Sequence, residues 1–184
     1  MATIGIDLSL TSPSLCVYSE GEFSLPRCTF YYLTGIKKSI VDSTQLQGEL
    51  WPDYACDPQR YDIISTWVID KIKHHNVKHA FIEGYAFNAV GRVFQIAENT
   101  GILKYKLWQH GIDCITVPPT VIKKYATGKG NANKEAIQTS FITETGFNLK
   151  DVLKLTDKQW NPSSDIIDSY YVCKYGVLEY GKNK

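Results

Sequence analysis

The chain reads as an α/β sandwich: a mixed sheet of five strands, in which an antiparallel meander joins parallel strands, flanked by helices. Three observations predict it. Three β-rich segments open the chain with short polar breaks between them. Beyond them helical and strand periodicities alternate, the pattern of parallel crossovers. Finally, 184 residues, 43% hydrophobic and 21% charged, are enough for one domain around one buried core and exclude disordered or fibrous classes.

Each element has its own warrant. In residues 3–9, Ile4, Ile6 and Leu8 alternate with Gly5, Asp7 and Ser9, which is the period of a strand with Asp7 opposite the apolar row. Strands at Ser14–Tyr18 and at 28–33 follow, separated by Glu20-Gly-Glu22 and Pro26. Residues 34–57 lack periodicity and carry Gly35, Gly48, Pro52 and Asp53, so they read as a long loop or insertion. From Pro58 the spacing of Ile64, Trp67, Val68 and Ile72 predicts a helix that closes at 73–76. Val77–Glu83 is a strand with Phe81 and Glu83 on one face and Ala80 and Ile82 on the other.

The next helix, over 88–109, carries Val90, Phe94, Ala97, Gly101, Tyr105 and Trp108 at spacings of three and four. That stripe reads as core, with a contact to a second copy of the chain as the alternative. Asp113–Val117 is another strand, and Pro118-Pro119 breaks it before a short helix through Tyr125. Asn133 caps a helix to about Thr145, ended by Gly146. After a polar connector, Ser163 or Ser164 caps a last helix through about Tyr180.

Several function classes drop out. The five cysteines (Cys16, Cys28, Cys56, Cys114, Cys173) show no CxxC or CxxH spacing, so neither a disulfide framework nor a zinc site is indicated, and they read as reduced thiols of a cytoplasmic protein. No stretch approaches the ~18 apolar residues of a membrane span. Gly128-Lys129 is no P-loop, so no nucleotide cofactor is expected. His74, His75 and His79 among Lys71, Lys73 and Lys78 read as the basic end of a helix.

Four acids stand out by position. Asp7 lies in a strand where a charge needs a partner, a cation or exposure; Glu83 ends a second strand; Asp165 and Asp168 open the last helix three residues apart, hence on one face. A solvated strand end accounts for Glu83, and the helix dipole for the last two, taken singly. Taken together, two strand ends and a helix end can converge hard oxygen ligands on one point, as magnesium requires. Two such ions ~4 Å apart can drive the in-line hydrolysis of a phosphodiester.

Ile4-Gly-Ile-Asp-Leu-Ser-Leu-Thr11, Phe81-Ile-Glu-Gly84 and Asp165-Ile-Ile-Asp168, in that order, resemble the RuvC-type Holliday-junction resolvases of the RNase H-like superfamily. The link Pro118-Pro-Thr-Val-Ile-Lys-Lys124 with Thr127-Gly-Lys-Gly-Asn-Ala-Asn-Lys-Glu135 is similar to that family's lysine-bearing segment, and the resemblance runs from Ile4 to about Gly176. The compact chain with its insertion resembles viral members. The resemblance implies an RNase H-like fold and a nuclease that cuts four-way or other branched DNA. Asp7, Glu83, Asp165 and Asp168 become its catalytic carboxylates, holding two Mg2+ ions with Mn2+ as a substitute. It further implies phosphate contacts by Lys123 or Lys124 and by Lys134, with Lys129 in the same lysine-rich run, and a homodimer whose two sites nick opposed strands. Tyr85 and Phe87, just after the glutamate, are candidates for stacking on an unpaired base, or are packed strand-end aromatics.

Two other readings stand beside this one: a catalytically silent binder of branched DNA with the same fold, and an actin-like phosphotransferase. The second shares the first strand motif but needs a longer chain. The net charge of +1 does not argue against DNA, because setting aside the four acids leaves 15 acidic against 20 basic residues.

Overall fold

The computed structural model describes residues 2–85 and 91–180. β1 (Ala2–Asp7), β2 (Ser14–Tyr18) and β3 (Cys28–Thr34) form the antiparallel meander, each strand paired to the next. β5 (Val77–Glu83) lies parallel to β1, and β6 (Asp113–Val117) parallel to β5.

The segment 34–57 departs from the expected loop. It contains β4 (Leu46–Leu50), parallel to β3, so the described residues form a sheet of six strands rather than five, in the order β4-β3-β2-β1-β5-β6. Leu46 is buried while Leu50 is exposed, and no alternation marks the strand. Its Gly48 reads as a loop signal in sequence, but a side chain there would stand 2.4 Å from the Tyr32 ring, so the glycine admits a packed aromatic.

The helices are α1 (Asp57–His74), α2 (Val93–Gln109), α3 (Pro119–Thr127), α4 (Lys134–Thr145), the single turn α5 (Leu149–Val152) inside the expected polar connector, and α6 (Ser163–Leu178). The start expected for α2, residues 88–90, lies outside the described residues. Asn133 caps α4 by accepting the Ala136 N–H, and Gly146 ends it, as expected. The expected serine cap of α6 is not formed: Pro162 holds the cap position, and Ser163 and Ser164 lie inside the first turn, buried. Among the described residues, no helix is long and apolar enough to cross a membrane.

The α2 stripe is also not core. Phe94, Tyr105 and Trp108 are 76%, 58% and 73% exposed, while Leu103 and Leu107, on the other side of the helix, are fully buried. Two apolar sets satisfy the 3.6-residue period on this helix, and the aliphatic one faces the sheet with Ile4, Ile6, Ile64 and Val68.

Core residues divide between the two faces of the sheet. Ile4, Ile6, Leu15, Ala80 and Ile82 pack beneath α1 and α2, whereas Cys16, Phe30, Tyr32 and Phe81 pack beneath α6 and α4 with Phe141, Ile166 and Tyr170. The alternation read in the two central strands therefore holds. α6 lies against β1 without an intervening side chain: a Cβ on Gly5 would stand 2.3 Å from both Ser169 O and Cys173 N. Farther along α6, a Cβ on Gly176 would stand 2.4 Å from the Phe81 ring. These two glycines set how closely the last helix approaches the sheet, and so where its acidic first turn lies. Gly5→Ala drives a methyl group into helix backbone that cannot give way; we expect a loss of about 3 kcal/mol and about 9 °C in the thermal midpoint, measured by circular dichroism.

Candidate active site

Asp7 and Glu83 are the last residues of two adjacent parallel strands, so both carboxylates leave the same end of the sheet. Asp168 reaches that point from α6, held there by the close approach at Gly5. Ligand oxygens of Asp7, Glu83 and Asp168 lie within 4.8 Å of one another, and Glu83 and Asp168 are half-buried. Asp165, one turn earlier, is 5% exposed. It is fastened by hydroxyls: Ser12 Oγ donates to Oδ2, and Ser164 Oγ lies 3.1 Å from Oδ1. The four acids singled out in the sequence thus converge, three sharing one point and the fourth tied beside them.

This proximity is electrostatically expensive. Burial pushes the Asp7 carboxyl well above the usual range, and the charges of Asp165, Glu83 and Asp168 add to it, while the Ser9 N–H, 2.9 Å from Oδ1, works the other way. Glu83 is pushed up to about 8 by burial and then by Asp168, and Asp168 to about 7 by burial and then by Asp165. Asp165 is raised by burial, against the Ser12 hydroxyl and Lys134. The donors are all hard carboxylate oxygens, the set that suits magnesium or calcium rather than a soft metal, and their charges need neutralising. The residues present fit a divalent cation.

The lysines divide. Lys123 on α3 and Lys134 at the start of α4 are near enough to lower the pKa of both Glu83 and Asp168, and Lys134 Nζ lies 3.4 Å from Ser164 Oγ. Lys124 and Lys129 are exposed on the last turn of α3 and the loop after it. Tyr85 is 38% exposed, two residues past Glu83, and Phe87 lies outside the described residues.

Sequence reasoning missed the polar residues that hold the acids. Ser9 follows Asp7 by two, the spacing at which an aspartate accepts a backbone N–H, and that signal was readable. Asn161, 2.9 Å from Ser164 Oγ, lies only three residues before it, whereas Ser12, which reaches across 153 positions to Asp165, carried no local signal.

No protein-family model matches the chain. It is 28% identical over 126 residues, 67% of its length and 77% of the relative's, to the crossover junction endodeoxyribonuclease RuvC of Brachyspira hyodysenteriae. Its structure is similar to that of Thermus thermophilus RuvC in complex with a Holliday junction substrate, with a TM-score of 0.65 and 14% identity, over 100% of this chain and 96% of that one. It is also similar to the fowlpox virus resolvase in complex with Holliday junction DNA, with a TM-score of 0.51 and 14% identity, over 100% and 98% of the two chains. The fold is therefore that of the RNase H-like resolvases.

The raised carboxylates predict a pH dependence with a definite sign. Between the unfolded values near 4 and the folded values near 7 and 8, the folded state binds more protons, so the stability of the metal-free protein falls as pH rises. In EDTA, Glu83→Gln should raise the thermal midpoint at pH 8.5 and change it little at pH 5. Magnesium should stabilise the parent more than the variant. An unchanged midpoint at pH 8.5 would contradict the electrostatic account.

Proposed function

We propose that this chain, homologous to the RuvC resolvases in sequence and fold, is a divalent-metal-dependent endonuclease that cuts four-way or other branched DNA. The observation that carries the reading is the convergence of the Asp7, Glu83 and Asp168 oxygens within 4.8 Å at one end of the sheet, desolvated and mutually repelling. A cluster of that kind is costly to the fold and is accounted for by a bound cation.

Asp7, Glu83 and Asp168 are the ligands, with Asp165 as the fourth carboxylate, oriented by Ser12 and Ser164. Two magnesium ions, for which manganese substitutes, would supply an activated water and charge stabilisation of the leaving 3′-oxygen. The chain itself performs the positioning. Lys123 and Lys134 stand beside the carboxylates, where they contact the non-bridging oxygens of the bound phosphate and keep it against the acids. Lys124 and Lys129, exposed farther out, carry the neighbouring backbone phosphates, and Tyr85 lies where an unpaired base next to the cut can stack.

Two such sites acting on opposed strands call for a second copy of the chain. The exposed aromatic stripe of α2 supports this: Phe94 and Trp108 stand 14 residues apart, about 21 Å along the helix, and Tyr105 and Trp108 stack with ring centroids 5.9 Å apart. A patch this apolar is covered in a homodimer. The unpaired thiols of the described cysteines fit a reducing compartment, and we place the protein in the cytoplasm with its DNA.

With a labelled four-way junction and magnesium, we expect paired symmetric nicks leaving 5′-phosphate and 3′-hydroxyl ends. Asp7→Asn should lower cleavage by about a thousandfold or more while keeping junction affinity. Binding without cleavage in any divalent ion would replace the nuclease by a silent junction binder. In sedimentation at micromolar concentration the parent should be a dimer and the Phe94→Glu, Trp108→Glu double variant a monomer. A dimer that survives the double substitution would put the interface elsewhere.

A further inference from the structure

Beside the carboxylates lies a second concavity, which the reading above does not use. It has a volume of about 380 Å3, within the range of ~300–1,000 Å3 typical of small-ligand sites, and its walls include Trp51, Tyr54 and Arg60. Trp51 and Tyr54 come from the segment expected as an insertion, Arg60 from the first turn of α1. The two rings meet edge to face with centroids 5.9 Å apart. The Arg60 guanidinium stands 5.4 Å from the Trp51 centroid and 5.1 Å from that of Tyr54.

Arg60 is an unusual residue to bury. It is 6% exposed, one of its amino groups donates to Leu10 O, and its ion-pair contact, to Asp57, is long at 4.0 Å. Its Nε has no partner among the described residues. The cavity also touches the carboxylate network twice: Ser12, on its wall, donates to Asp165, and Asn161, also on its wall, contacts the Ser164 hydroxyl that adjoins Asp165.

We infer that this cavity receives one unpaired nucleotide of the strand being cut, its base stacked on the Tyr54 ring with Trp51 meeting it edge-on and the Arg60 guanidinium beside it. The inference rests on the nuclease reading, which brings a DNA strand to Asp165. A base suits the walls better than a phosphate alone does: Tyr54 offers a π-face and Trp51 an aromatic edge, and the arginine donors are divided between Leu10 and Asp57 rather than converging on one anion. Gly35 lies on the same wall with open space where a side chain would be, so the cavity can be filled without removing any contact.

The full chain, in calcium, is titrated with a four-nucleotide single-stranded deoxyoligonucleotide while tryptophan emission is read; the difference between parent and Trp51→Phe isolates Trp51. We expect the oligonucleotide to quench Trp51. Its dissociation constant should rise at least about fivefold both in Tyr54→Ala, which removes a stacking face, and in Gly35→Leu, which fills the space. Absence of Trp51 quenching, or unchanged affinity in both variants, overturns the pocket. Junction cleavage in magnesium, measured alongside, separates the two ideas. Cleavage without Trp51 quenching keeps the nuclease and removes the pocket, whereas Trp51 quenching without cleavage keeps a nucleotide site and removes the nuclease.

Discussion

The closeness of α6 to β1 is the constraint on which the rest of the molecule depends. Because Gly5 has no side chain, helix backbone at Ser169 and Cys173 settles directly on the central strand. The first turn of that helix then has to sit where β1 and β5 end. Asp165 in that turn, Asp168 in the next, and the strand-terminal Asp7 and Glu83 are therefore brought together by packing that owes nothing to electrostatics and works against it. Apolar burial on both faces of the sheet supplies the free energy that holds four carboxyl groups in one place.

The arrangement is steadied by hydrogen bonds from a short loop. Residues 8–13 carry the Ser9 N–H that meets Asp7 and the Ser12 hydroxyl that meets Asp165. That loop is itself held from outside, since Arg60 donates to Leu10 O and Trp51 Nε1 donates to Thr11 O at 2.7 Å. The segment around β4 thus supports the loop that orients two of the acids, while also walling the neighbouring cavity. Its place in the molecule is at the site, although it lies at the far edge of the sheet in strand order.

The legible and illegible parts of the sequence differ in the range of the interactions that decide them. Val77–Glu83 and Asp113–Val117 could be read to the residue because alternation and flanking turn residues are local properties. β4 could not, because a short edge strand is paid for by backbone pairing to β3 and by the Tyr32 ring over Gly48, neither of which leaves a periodic trace. The α2 stripe misled for a related reason. Two apolar sets on one helix are equivalent in periodicity, and only the position of the sheet decides that Leu103 and Leu107 are buried and Trp108 is not.

By itself the sequence determined which residues could act: an acid opposite an apolar row in a central strand, a second acid closing another strand, an aspartate pair opening a helix, and a lysine-bearing link. Each depends on neighbours within one turn or one strand. Tertiary structure alone decided that three of those acids share a point while Asp165 is held beside them by Ser12. It also decided that Lys123 and Lys134 face the cluster while Lys124 and Lys129 lie exposed, and that Arg60 is buried against two aromatic rings. Those outcomes join positions up to 153 residues apart, and no local pattern encodes which of several chemically equal side chains will meet.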